Sequence, residues 1–146
     1  MNSQIFSKLV PKSSDPNSLE ITKRKFFSPD AEITKDGINK ARDFANKMSS
    51  GQQGEHREYR TGGSYFRSPK EIFINAFQGK LAEVAFYEYF KDKDLQINEP
   101  DFETYPKGQW DSFDFLINNK KINVKSTKHF GNLMLLEEGD WNSNAE

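Results

Sequence analysis

The sequence predicts an α/β domain preceded by a helical and irregular arm, and three stretches carry that prediction. Residues 68–91 read as one long capped helix, and residues 113–126 alternate with the period of two of a hairpin. Leu133-Met-Leu-Leu136 is a short continuous apolar run that fits a further strand. Residues 1–67 form the arm with its helical segment, and residues 68–146 form the core.

Residues 1–30 are rich in Ser, Pro, Asn and Lys, with scattered apolar anchors at Ile5, Leu9, Val10, Leu19 and Ile21. That composition predicts an irregular arm with room for one short strand or helix. From Ile33 to Met48 the positions Ile38, Ala41, Phe44, Ala45 and Met48 keep helical spacing, with Thr34 or Asp36 as N-cap. Residues 49–67 contain Gly51, Gly54, Gly62 and Gly63 among polar neighbours and read as a long loop, a class of segment that often carries function.

Ser68-Pro69-Lys70-Glu71 is a capping-box start with Pro at the first helical position. The pattern then runs through Ile72, Phe73, Ala76, Phe77, Leu81, Val84 and Phe86 and ends between Lys91 and Asp94. Leu95-Gln-Ile97 is expected as a short strand, and residues 98–109 as a Pro-containing connection to Trp110, expected as a core anchor. In the hairpin, Phe113, Phe115 and Ile117 alternate with Asp114 and Leu116, and Ile122, Val124 and Ser126 alternate with Asn123 and Lys125. Asn118-Asn119 supplies the two left-handed residues that a two-residue loop demands, which sets Ile117 opposite Lys120 and Asp114 opposite Asn123.

Composition bounds the answer. A chain of 146 residues is one domain's length, and its 34% hydrophobic content, lifted by 13 Phe, suffices for one modest core. Cys is absent, which excludes disulfides and thiolate metal sites. With neither an apolar run near 18 residues nor a secretory leader pattern, the expectation is a cytoplasmic protein without membrane insertion. The net charge of −1 gives no global basic field. Basic residues cluster locally instead, at Lys23-Arg24-Lys25 and at Arg57, Arg60 and Arg67 around Thr61-Gly62-Gly63-Ser64. The latter are candidates for phosphate contacts, since the glycines let a backbone approach closely.

The hairpin also carries chemistry. Directly opposed residues have Cβ atoms roughly 4.5–5.5 Å apart, so one hydrated divalent cation can touch both Asp114 and Asn123, with Lys125 two positions along the same face. Asp111 is the acid in an alternative register, although alternation favours Asp114. Glu83 lies among Ala82, Val84 and Ala85, where a carboxylate is costly unless it faces a cation or donor; the plainer reading is a helix-edge Glu, solvated or paired with Lys80. His129 reads as a loop histidine or as a phosphate contact.

The order of helix, acidic strand and lysine strand, with Asp114 followed by Asn123-Val124-Lys125-Ser126, resembles the PD-(D/E)XK phosphodiesterase superfamily over about residues 70–141. Gly79-Lys-Leu-Ala-Glu83 and Lys125-Ser-Thr look most like bacterial type II restriction endonucleases. The departure is Asn123, where the family's second acid would stand; an amide offers an oxygen but no charge. The resemblance implies a mixed β-sheet core flanked by helices, incomplete at the C-terminus because residues 137–146 supply neither the further helix nor the further strand of the family core. It also implies a Mg²⁺-dependent DNA endonuclease, with Mn²⁺ as substitute.

Metal ligands would then be Asp114, Asn123, the main-chain carbonyl of Val124, and Glu83, with Lys125 completing the catalytic set. Double-stranded DNA would meet Arg57, Arg60, Arg67, Lys128 and His129. A homodimer or a partner chain would cover the open core. The alternative expectation is a catalytically dead DNA-binding or structural relic of the same fold, and a third is an αβ interaction module with no nucleic-acid role.

Overall fold

The computed structural model describes residues 8–23, 28, 30–50, 67–93, 95–105 and 113–128. The chain divides into two compact units, one of residues 1–29 and 127–134 and one of residues 30–126 and 135–146. Helices and small antiparallel sheets together make it a mixed α/β protein.

In the first unit, β1 (Lys8–Lys12) pairs antiparallel with β2 (Asp15–Lys23), so the segment expected as an irregular arm forms a hairpin. The ladder is interrupted twice, between Lys8 and Leu9 and between Pro11 and Lys12. The second break skips residues 16–18 of β2, a stretch that contains Pro16, which lacks the N–H a regular ladder needs. Its Ser- and Pro-rich composition hid the strands, because the cross-strand pairs Leu9 with Ile21 and Pro11 with Leu19 are visible only once the register is known.

The second unit contains α1 (Lys35–Ser49) and α2 (Pro69–Phe90), which pack together. Thr34 caps α1 by accepting from the Gly37 N–H at 3.1 Å. The buried stripe is Gly37, Ala41 and Ala45, one position off the expected start at Ile38, which is 40% exposed. The cause is close approach: a Cβ on Gly37 would lie 2.6 Å from Val84 Cγ1 of α2 and 3.0 Å from Glu88 Oε1. Small residues at i, i+4 and i+8 let the two backbones meet, and α1 is rotated to present them. Thus α1, which the sequence division grouped with the arm, shares its unit with α2.

The start of α2 agrees with expectation. Ser68 accepts from the Glu71 N–H, Glu71 accepts from the Ser68 N–H at 2.9 Å, and Pro69 opens the helix. The helix closes on Lys91, whose N–H donates to the Tyr87 carbonyl. Leu95 to Ile97, expected as a strand, is not one. Instead the Asn98 side chain accepts from the Leu116 N–H at 3.5 Å, so among the described residues a side chain meets that edge.

The last described elements are β3 (Phe115–Ile117) and β4 (Lys120–Ile122), antiparallel with Ile117 opposite Lys120 and Phe115 opposite Ile122. Asn118 and Asn119 both have positive φ, 50° and 64°, as the primed two-residue turn requires. Phe115 is fully buried and stacks on Phe86 of α2 with ring centres 5.1 Å apart, which ties the hairpin to the helix. Both strands are shorter than the alternation suggested. The next rung of the ladder would send the Val124 N–H to the Phe113 carbonyl, but the Asp114 carboxylate takes that N–H at 2.6 Å. The run of Leu133 to Leu136 lies outside the described residues.

Candidate functional site

Asp114 sits one residue before β3, half-buried, where the hairpin stops being a ladder. Its N–H donates to the Ile122 carbonyl at 2.9 Å, and its Oδ2 accepts from the Val124 N–H. One carboxylate oxygen is therefore fixed by the backbone just past the end of β4. Among the described residues, nothing donates to Oδ1. The paired register ends at Phe115 opposite Ile122, and the Asp114 N–H turns to that same Ile122 carbonyl, so the expected pairing of Asp114 with Asn123 is not part of the ladder; Asn123 and Val124 are half-buried. Lys125 is exposed. Ser126 Oγ accepts from Gln78 Nε2 of α2 at 3.3 Å, so the segment after β4 is held to the helix beyond the ladder's end.

Glu83 projects from α2 with its side chain 14% exposed, and Lys80 three residues earlier is 9% exposed. Lys80 Nζ donates to Glu83 Oε2 at 2.6 Å and to the Asp101 carbonyl at 2.7 Å. The ammonium also lies over the Phe44 ring of α1, 4.5 Å from its centre. Burial pushes the Glu83 carboxyl up to about 7, Lys80 pulls the other way through its charge and hydrogen bond, and the negative charges of Asp114 and Asp101 add to the rise. Glu83 is thus neither solvated nor remote from Asp114. It is ion-paired and also within electrostatic reach of that second carboxylate.

Asp101 accepts from the Glu103 N–H at 2.8 Å through Oδ1 and from the Tyr105 hydroxyl through Oδ2. Its side chain is engaged in its own loop, while its carbonyl serves Lys80. Sequence reasoning missed this loop and the burial of Lys80. The i, i+3 spacing of Lys80 and Glu83 was a usable signal for the pair, but only the packing of α1 and residues 95–105 around it makes the pair internal.

Arg67 is half-buried beside the α2 cap, and Lys128 is exposed. Arg57, Arg60, His129, Trp110 and Asp111 lie outside the described residues. Among the described residues, no three of Asp, Glu, His and Cys are grouped so as to hold a metal ion. The expected donor set differs in kind, with two carboxylates, an amide and a main-chain carbonyl. Its all-oxygen chemistry suits a hard divalent cation, and the oxygens of Glu83 and Asp101 already hold one cation, the ammonium of Lys80. No described helix is long and apolar enough to cross a membrane.

Set beside family models, curated proteins and solved structures, the chain gives no match.

Proposed function

We propose that the chain is a metal-dependent DNA endonuclease with a restriction-endonuclease-like core, hydrolysing phosphodiester bonds in the cytoplasm. The observation that supports this most is the Asp114 carboxylate, pinned through Oδ2 to the Val124 main chain, with the buried Glu83 carboxylate close enough to feel its charge. Two carboxylates, each with one oxygen fixed and one without a described donor, offer oxygens of the right chemistry for Mg²⁺ or Mn²⁺.

Asp114, Glu83, the amide oxygen of Asn123 and the carbonyl of Val124 would hold the ion. When bound, it would polarise the scissile phosphate and lower the pKa of a coordinated water. Lys125, exposed on the segment after β4, would orient or help deprotonate the attacking water and offset the charge of the pentavalent phosphate. Arg57, Arg60, Arg67, Lys128 and His129 would contact the phosphates of double-stranded DNA. A second copy or a partner chain would pack against the core.

Asn123 favours one further reading, a catalytically dead DNA-binding relic, because a neutral amide stands where a charged ligand would bind more tightly. Plasmid cleavage with Mg²⁺ and Mn²⁺ separates the two. The endonuclease reading expects metal-dependent cleavage that Asp114→Ala abolishes and Asn123→Asp raises. DNA binding with no cleavage in either the wild type or Asn123→Asp would establish the relic. Absence of DNA binding even at low salt would end both.

A further inference from the structure

Lys80 is held from three sides. α2 supplies the Glu83 carboxylate, the segment of residues 95–105 supplies the Asp101 carbonyl, and α1 supplies the face of Phe44. An exposed lysine–glutamate pair three residues apart on a helix would exchange freely with water and constrain neither partner. This pair is internal, and the second contact to Asp101 prevents the ammonium from following Glu83 elsewhere. The consequence falls on Glu83, since Oε2 is committed to Lys80 while Oε1 accepts from none of the described residues.

We propose that Lys80 is a positioning residue for the metal site, holding Glu83 by one oxygen so that the other is left for a divalent cation shared with Asp114. This rests on the metal-dependent reading above and deepens it. A glutamate loses rotamer freedom when it becomes a ligand, and a site whose ligand is fixed in advance loses less of it on binding. Partners of that kind, one bond behind the ligand, are worth about 10–100-fold in metal affinity. A methionine at position 80 would keep the volume and the apolar stem and remove the grip on Glu83.

Mn²⁺ affinity of the intact chain, measured by isothermal titration and by the loss of the free-ion electron paramagnetic resonance signal, tests this without reference to cleavage. Lys80→Met should bind Mn²⁺ about 10–100-fold more weakly than the wild type. Lys80→Arg, which keeps a cation on Glu83, should lose less. Circular dichroism checks that the variants fold; if Lys80→Met does not, Lys80→Gln, which keeps a donor to Glu83 without the charge, should still weaken Mn²⁺ binding. Unchanged affinity in a folded Lys80 variant assigns the lysine to packing alone, and tighter binding makes it a repelling charge; either overturns the proposal. Asp114→Ala separates the levels. Binding that is lost in Asp114→Ala but untouched in Lys80→Met overturns this proposal and spares the metal reading, whereas a wild type that takes up no Mn²⁺ overturns both.

Discussion

Replacing Glu83 by Gln should remove a pH dependence of folding that the wild-type chain carries. Burial lifts the Glu83 carboxyl from 4.5 to about 7, against the pull of Lys80. A group whose native value lies above its unfolded one binds its proton more tightly in the folded chain. Its stabilising contribution is therefore complete below about pH 4.5 and is lost as pH rises through about 7. The gap between those values corresponds to roughly 3 kcal/mol, and residual solvent contact reduces it toward roughly 2. Glutamine has the shape of the protonated acid, and the Lys80 pair is already included in the native value. Glu83→Gln should then match the wild type near pH 4.5 and exceed it by roughly 2–3 kcal/mol above pH 8 when metal is chelated. Urea unfolding of both proteins across that range gives the difference directly. A difference that stays flat, or that turns in favour of the wild type as pH rises, would show that the ion pair outweighs burial and would refute the reasoning.

Two further perturbations test how the site is held. Gly37→Ala gains helix propensity of about 1 kcal/mol but drives a Cβ to 2.6 Å from Val84 Cγ1, a stiff buried side chain, so overpacking of about 1–3 kcal/mol should win and the urea midpoint should fall; adding Val84→Ala should recover part of the loss as a non-additive pair. Asn119→Gly should be neutral or slightly stabilising, whereas Asn119→Val should cost about 1–2 kcal/mol, because φ at that residue is 64° and a β-branched side chain resists the left-handed region; equal unfolding midpoints for the two variants would contradict the turn assignment.

What was legible in the sequence was local. The limits of α2 follow from Ser68, Pro69 and Glu71, whose capping contacts span three residues, and the register of β3 and β4 follows from two adjacent asparagines. What was not legible depended on partners distant in the chain. Ile38 has the better hydrophobic credentials, yet Gly37 faces α2 because Val84 needs the space. Leu95 to Ile97 has strand-forming residues but no strand beside it among the described residues. The same holds in the site. Alternation placed Asp114 beside the hairpin but not its bonds to the Ile122 carbonyl and the Val124 N–H, and the burial of Lys80 depends on Phe44, some 36 positions earlier, and on the carbonyl of Asp101, 21 positions later.

The identity of residue 123 acquires a physical sense from this arrangement. Without a metal, the described site already contains the carboxylates of Glu83, Asp101 and Asp114 against one internal cation, Lys80, and Glu83 answers by holding its proton up to about pH 7. An aspartate at 123 would adjoin Val124, whose N–H the Asp114 carboxylate accepts, and add repulsion that the metal-free chain would have to accommodate by further proton uptake or lost stability. Asparagine keeps an oxygen in that place at no electrostatic cost. The two demands oppose each other: charge that tightens a divalent ion also loads the fold whenever the ion is absent. On the proposed reading, Asn123 and Lys80 lie on the same side of that contest, one by withholding a negative charge and the other by offsetting one. Asn123→Asp should therefore bind Mn²⁺ more tightly than the wild type and unfold at lower urea when metal is chelated. An Asn123→Asp chain that gains affinity with no loss of metal-free stability would show that position 123 is too far from Asp114 for their charges to meet.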